Sequence, residues 1–281
     1  LTALLLGGCA SFSPDGGFGP VQQAAQSRLG KDLVPARTEA EQQALQPRVD
    51  ALLARPLSAD DAVQVALLNN RGLQAAFQDL GITEAEIVQA GRLPNPGFSF
   101  GRSRQGDERE IERGLHVNLA RWLALPLVRP LEQRRFEQVQ AAVAGRVLEV
   151  AADTRKAWVM AVAAEETVRY TGQVMQAAEA GAELARRMAA VGNFNKLQQA
   201  REQGFHADAA LNHARAQQAR RATRERLTRL MGLWGAQTNF TLPERLPALP
   251  PEPAEQPHIE RLAMAQRLDV QGARLAAEHT A

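Results

Sequence analysis

The chain has 281 residues, of which 45% are hydrophobic but only 5% aromatic, and its formal net charge is +2. Abundant Ala, Gln, Arg and Glu are typical of long helices rather than of a compact mixed core. No apolar run has the 18 or more residues of a membrane-spanning helix. The Arg-rich stretch 215–229 contains Glu225 and no aromatic residue, so we predict no nucleic-acid partner.

The first nine residues resemble the end of a secretory signal. A short apolar run is followed by two glycines and by Cys9, the only cysteine. Leu6-Gly7-Gly8-Cys9 is similar to the bacterial lipobox, in which cleavage leaves a cysteine that carries lipid. The resemblance implies that 1–8 is a signal-peptide remnant and that Cys9 is the acylated (palmitate) residue of an outer-membrane lipoprotein. The alternative is a cysteine inside a signal peptide that is removed.

Residues 9–56 are rich in Gly, Pro and Gln, and we predict an extended, lipid-anchored tether with a short helix near 39–53. Helical periodicity begins after Ser58, a candidate N-cap with Asp61 three residues later. A helix pair is predicted over 58–91, interrupted at 69–72 and stopped by Pro94 and Pro96.

The hydrophobic period then changes to two, which predicts a β-hairpin over 97–123 with a polar loop at 105–110. A hairpin of two strands is marginal by itself in water. One with an apolar outer face fits a transmembrane β-barrel assembled from several copies, and the soluble alternative is a β cap on a helical rod. The residues predicted to face the membrane are Phe98, Phe100, Leu115, Val117 and Leu119.

A long helix is predicted over 129–191, because apolar or small residues recur three and four positions apart. At 1.5 Å per residue it would extend roughly 90 Å. A short break precedes a return helix at 196–231, so the two form an antiparallel hairpin. By itself this is equally consistent with a purely structural coiled coil.

A Pro-rich linker follows at 236–257, and helical periodicity resumes at His258. Offset by 197 positions, this last segment resembles the first helix pair, for example at Ala66 and Ala263 and at Gln74 and Gln271. We therefore predict an internal repeat, with its first copy at 57–235 and its second beginning at 258–281.

The order of these elements, with the motifs Leu93-Pro94-Asn95-Pro96 and Arg267-Leu268-Asp269-Val270, resembles the outer-membrane efflux protein family. These are the TolC-like outer membrane factors, here in their lipoprotein branch. The resemblance implies a mainly α fold with a small β part, equal to half of a TolC-like protomer. It also implies that we have the first repeat of a longer chain.

The family implies a homotrimer whose strands close one twelve-stranded barrel above a periplasmic helical tube. Such a trimer is the passive outer-membrane channel of an efflux or type I secretion system, and it joins a periplasmic adaptor and an inner-membrane pump. By the same resemblance, the hairpin tip docks the adaptor. Its residues are Arg187, Val191, Gly192, Asn193, Phe194, Asn195 and Leu197. The alternative is an ordinary turn in which Phe194 packs internally.

The sequence predicts no catalytic site, cofactor or metal centre. His206 and His213, with Asp208 nearby, are two helical turns apart and thus too distant to share one ion without other ligands. A periplasmic coiled-coil adaptor and an exported enzyme on a helical scaffold remain as alternatives. Drugs, metal ions and polypeptides are all open as substrates.

Overall fold

The computed structural model describes residues 12–92, 95–249 and 257–280. Cys9, with the signal segment, and Leu93 and Pro94 lie outside the described residues. The fold class is confirmed as mainly helical with one two-stranded antiparallel sheet. The elements are α1 (Gly19–Leu29), α2 (Glu39–Leu53), α3 (Ala59–Asn69), α4 (Arg71–Ala90), β1 (Gly97–Gln105), β2 (Glu108–His116), α5 (Leu119–Ala190), α6 (Lys196–Leu230), a 3-10 turn (Gly235–Asn239), α7 (Ile259–Gln266) and α8 (Leu268–Thr280).

The chain divides into two compact units. The first comprises Leu1–Arg28, Ala75–Arg146 and Gln256–Ala281, and the second comprises Leu29–Gln74 and Val147–Glu255. The bounds of α2 agree with the predicted helix at 39–53, and Thr38 and Glu41 form a capping box at its start. At α3, the side chain of Ser58 accepts the N–H of Asp61 at 3.0 Å, as the N-cap prediction requires.

In the first unit, the loop before α1 is packed rather than extended. The Phe18 ring meets Phe77 edge to face at 5.0 Å, and Gln140 donates to the carbonyl of Gly17 at 2.8 Å. Gly17 has φ +73, and a Cβ there would lie 2.1 Å from the Phe136 ring, so only glycine fits. The extended-tether prediction is therefore wrong for this segment.

The helix α1 within that segment was also not predicted. Asp15 starts it, because its carboxylate accepts the N–H of Gly19 at 2.6 Å. That hydrogen bond, with a second one from Gly17, lowers the pKa of Asp15. Only Val21 and Ala25 of this helix are buried, and two small apolar residues give a weak periodic signal.

The two strands pair antiparallel over nine residues each, joined by a two-residue turn, Gly106-Asp107, rather than by the predicted loop at 105–110. Gly106 has φ +63, the left-handed conformation that such a turn needs at its first central position.

The strand prediction is wrong for Val117 and Leu119. Val117 lies after the end of β2, and Leu119 is the first residue of α5. The cause is Asn118, whose side-chain oxygen accepts the N–H of Arg121 at 3.0 Å and caps a new helix. The long helix thus starts at 119 instead of 129, and Pro126 and Pro130 are accommodated inside it.

In the second unit, α5 and α6 form the predicted antiparallel hairpin. Arg220 pairs with Glu165 at 3.6 Å, and the His213 ring contacts the hydroxyl of Thr171 at 3.2 Å. Each step along α5 toward the turn is matched by an equal step back along α6. Six alanines of the predicted periodic pattern are buried there: Ala157, Ala161, Ala178, Ala185, Ala209 and Ala216.

The end of α6 is held by the corner between α3 and α4. The amide of Asn69 donates to the carbonyls of Met231 at 3.2 Å and Gly232 at 2.8 Å. Asn70 donates to the carbonyl of Leu230 at 2.8 Å. A Cβ at Gly232 would lie 2.4 Å from the carbonyl oxygen of Asn69. These five residues therefore fix the backbone at the base of the hairpin.

The α7–α8 corner repeats the backbone of the α3–α4 corner at the 197-residue offset found in the sequence. Asn70 and Arg267, at the two breaks, have ψ of 115 and 121. Their N–H groups both donate back to an alanine carbonyl at 2.8 Å. Gln74 and Gln271, four residues later, each bond the carbonyl six residues earlier, at 3.2 and 3.0 Å.

Candidate functional site

The tip of the α5–α6 hairpin is closed by its own backbone. The N–H of Gly192 donates to the carbonyl of Ala189 at 3.1 Å, and that of Asn193 donates to Met188 at 2.9 Å. This is the Schellman pattern, and it places Gly192 at φ +84. Nothing lies within 4 Å of a Cβ built at Gly192, so its role is conformational rather than steric.

The return helix starts with a capping box at Asn195. The Asn195 side chain accepts the N–H of Gln198 at 2.8 Å, and Gln198 accepts the N–H of Asn195 at 3.0 Å. The helix α6 therefore begins at Lys196, as predicted for the return helix at 196–231. Because both ends of the turn are satisfied locally, the tip residues are held in place without help from another element.

Two apolar side chains of this closed turn remain in solvent. Val191 is 72% exposed and Leu197 is 61% exposed, while Phe194 is half-buried. Phe194 is therefore less exposed than Val191 and Leu197. Exposed aliphatic residues on a rigid turn are available for burial against a partner, at about 1.5–3 kcal/mol for each side chain fully buried.

Arg187, also predicted at the tip, lies in the last turn of α5 and is held by an ion pair. Its Nε donates to Glu183 at 2.7 Å, and Arg186 donates to the same carboxylate. Hydrogen bonds from Arg186 and then Arg187 lower the pKa of Glu183 to about 2. Two guanidinium groups on one carboxylate leave a net positive charge one turn behind the apolar tip.

The β-hairpin has two chemically different faces. Phe98 and Leu115 are directly opposite each other and share one face with Phe100. All three are exposed, so the predicted set keeps these members and loses Val117 and Leu119. The other face carries small residues: Gly97, Ser99, Gly101, Ser103 and Gly114.

Sequence reasoning missed Ile111, which lies on the apolar face and is exposed. The predicted alternation was followed only from Leu115 onward, through Val117 and Leu119. Followed back from Leu115 through Arg113, the same alternation reaches Ile111.

The part of the chain that the structure describes contains neither a metal-binding cluster nor a membrane-spanning helix. No cluster of three or more His, Cys, Asp or Glu side chains has the arrangement of a metal site there. The His213 ring instead contacts Thr171 and Gln217. None of the described helices combines the length and the apolar character that a membrane span requires.

Comparison with known proteins gives relatives that are longer than this chain. It is 28% identical over 238 residues to the cobalt-zinc-cadmium resistance protein CzcC of Cupriavidus metallidurans, covering 83% of this chain and 53% of that protein. No protein-family model matches it.

Solved structures share its fold. CusC, a protein described in terms of transmembrane channel formation, superposes with a TM-score of 0.64 at 16% identity, covering 79% of this chain and 54% of that one. The CmeC outer membrane channel of Campylobacter jejuni gives 0.64 at 14% identity, covering 92% and 57%. This chain therefore has the fold of about half of a TolC-like protomer.

Proposed function

We propose that this chain belongs to the outer-membrane efflux protein family and forms part of the outer-membrane channel of a tripartite efflux system. The observation that carries the proposal is the fold itself. One chain joins a long helical hairpin with a closed, partly apolar tip to a two-stranded sheet with an exposed apolar face.

The sheet explains why several chains would be needed. Two strands bury too little to be stable alone, and Phe98, Phe100 and Leu115 would be costly to leave in water. In a trimer, these side chains face lipid and the Gly- and Ser-rich face lines the passage. Transport is passive conduction, so the chain supplies a shaped conduit and no reacting group.

The hairpin tip is the proposed docking site for a periplasmic adaptor. Val191 and Leu197 supply apolar surface for the adaptor's helices, and Phe194 adds its exposed part. Arg187 and Asn193 provide the polar rim. Through the adaptor, the channel connects to an inner-membrane pump.

Similarity to CzcC favours divalent metal ions as the exported substrate over drugs or polypeptides. Cys9, by its lipobox context, would anchor the protein to the outer membrane through acyl chains. Replacing Cys9 with Ser and following acyl labelling tests the anchor separately. We expect label on the unaltered protein and none on the variant, and an unaltered protein that takes up no label would reject the anchor.

The docking proposal is tested by Val191→Asp in the intact protein. The host lacks its own outer-membrane efflux channel but carries a zinc pump and its adaptor. We expect the unaltered protein to restore growth on zinc and the variant to fail, because a carboxylate cannot be buried unpaired against an apolar partner. Trimers should persist in membrane extracts of the variant.

Tyr170→Asp is the matched control. Tyr170 is an exposed residue of α5 in the same unit but well before the tip, so this variant should keep zinc tolerance. Normal export by Val191→Asp would count against docking at the tip. Failure of the unaltered protein to form trimers or to restore growth would reject the channel function itself.

A further inference from the structure

The charged residues of the β-hairpin are sorted by face. Residues directly opposite in an antiparallel pair lie on the same face. From the base of the hairpin toward its turn, the pairs on the apolar face are Phe98 with Leu115, Phe100 with Arg113, Arg102 with Ile111, and Arg104 with Arg109. This face therefore changes from apolar at its base to arginine-rich near the turn.

The carboxylates lie on the other face. Glu110 and Glu112 are opposite Ser103 and Gly101, and Glu110 accepts a hydrogen bond from Ser103 at 3.4 Å. Their position prevents them from neutralising the arginines across the sheet plane. Among the side chains that the structure describes, Arg102, Arg104 and Arg109 form no ion pair with a carboxylate.

Arg104 and Arg109 form a like-charge pair directly across the strands. Their Cβ atoms are about 4.5–5.5 Å apart in such a pair, and like charges in this arrangement destabilise the sheet. The Arg104 side chain donates from Nε to the carbonyl of Gly106 at 3.1 Å. An anion bound between the two guanidinium groups would attract both of them and so offset their repulsion.

The spacing fits a membrane surface. Six residues separate Phe98 from Arg104, which at about 3.4 Å per residue is roughly 20 Å along the strand. Half of the hydrocarbon core is roughly 15 Å thick, with the headgroups beyond it. If Phe98 and Leu115 lie among acyl chains, Arg104 and Arg109 therefore reach the headgroup level.

We propose that Arg102, Arg104 and Arg109, the arginine row, bind the phosphate monoester groups of membrane lipids. Guanidinium suits this ligand because its planar donors engage a phosphate through two parallel hydrogen bonds. The inference rests on the proposed function, which places the apolar face of the hairpin in a membrane. Beyond that function, the inference is that the hairpin recognises phosphate in the membrane leaflet next to its turn.

The test compares partition of the intact protein into two kinds of vesicle. One is phosphatidylcholine alone, and the other is phosphatidylcholine with lipid A, which carries phosphate monoesters. We expect the protein to favour the lipid A vesicles, and Arg104→Gln with Arg109→Gln to reduce that preference roughly thirtyfold. Removing a like-charge pair does not weaken the sheet, so loss of folding would not account for the change.

Two control variants sharpen the result. Glu110→Gln with Glu112→Gln alters two charges on the opposite face of the same strands, and it should leave the preference at least as strong. Arg104→Lys with Arg109→Lys keeps the charge but loses the paired donors, so an intermediate preference is expected.

The possible failures are distinguishable. Equal partition of the unaltered protein into both vesicles would overturn recognition of phosphate monoesters while leaving the membrane placement intact. A glutamine variant that keeps the full lipid A preference would also overturn it. No partition into either vesicle would reject the membrane placement, and with it both this inference and the proposed channel.

Discussion

The α3–α4 corner and the α7–α8 corner have the same backbone but different surroundings. Both break at one residue with extended ψ and resume as a helix one residue later. At the first corner, Asn69 is 3% exposed and its side chain reaches the end of α6. At the second corner, the equivalent residue is Gln266, whose side chain is exposed.

The comparison separates what the local sequence decides from what packing decides. A helix break needs only residues that end one helix and start the next, and both copies have them. Burial needs a partner element that covers the corner. Asn69 and Asn70 are suited to that partner because each amide donates to a carbonyl that the end of α6 leaves free.

The largest expected difference between the two corners is the loss of stability caused by Asn69→Ala. Its amide oxygen accepts from Gln42 at 3.2 Å and Gln46 at 3.3 Å, and its nitrogen donates to two carbonyls. Alanine leaves these buried groups without partners, and we expect a loss of about 3 kcal/mol in the free energy of unfolding. Urea denaturation followed by circular dichroism measures it.

Gln266→Ala is the matched control at the second corner, and it should change the same free energy by less than about 0.5 kcal/mol. Equal effects of the two substitutions would mean that the Asn69 contacts add nothing beyond the break itself.

The next effect in size concerns the glutamine that bridges each break. Gln74 is buried, donates to the carbonyls of Val34 and Leu68, and accepts the N–H of Ala36 at 2.9 Å. Gln271 keeps only the bond across the break, to Ala265. We expect Gln74→Ala to cost about 2 kcal/mol and Gln271→Ala about 0.5 kcal/mol.

Thermal unfolding of the two variants checks this difference. A similar shift in Tm for both would indicate that the bond across the break, which they share, accounts for the effect, and that the extra partners of Gln74 are unimportant.

The sequence predicted those features of the fold that local chemistry decides. The cap at Ser58, the break at 69–72 and the turn at Gly192 each depend on residues adjacent in sequence, and the structure has all three. The long hairpin was predicted because its period persists over many turns.

The prediction failed where two signals competed or where the contacts are distant. The alternation Leu115, Val117, Leu119 outweighed Asn118, a single capping residue, so the start of α5 was placed ten residues late. The packing of Gly17 depends on Phe136, far away in the chain.

The two candidate sites also differ in how far local sequence predicts them. The tip is a local turn, and its residues were found by resemblance together with the glycine signal. The arginine row is visible only when the strands are paired in register, because Arg104 and Arg109 become opposite each other through the two-residue turn. A loop prediction that is wrong by a few residues removes that pairing.

The smallest expected effect concerns Arg267, which occupies the break of the second corner, where the first has Asn70. Its guanidinium does not reach another element but pairs with Asp269, two residues on, with Nε 3.0 Å from the carboxylate. That hydrogen bond lowers the pKa of Asp269. A carboxyl with a lowered pKa in the folded state stabilises that state above its ordinary pKa, and the contribution is lost as the pH falls through the lowered value.

Arg267→Ala should therefore return the pKa of Asp269 toward its ordinary value, as followed by NMR titration of the carboxyl carbon. The pKa of Asp15, lowered by the N–H of Gly19 instead, is the internal control and should not move. Stability at neutral pH should barely change, since both partners are solvent-exposed. A clear loss of stability at neutral pH would mean that the ion pair holds the second corner as firmly as the buried amides hold the first, and the contrast between the two corners would fail.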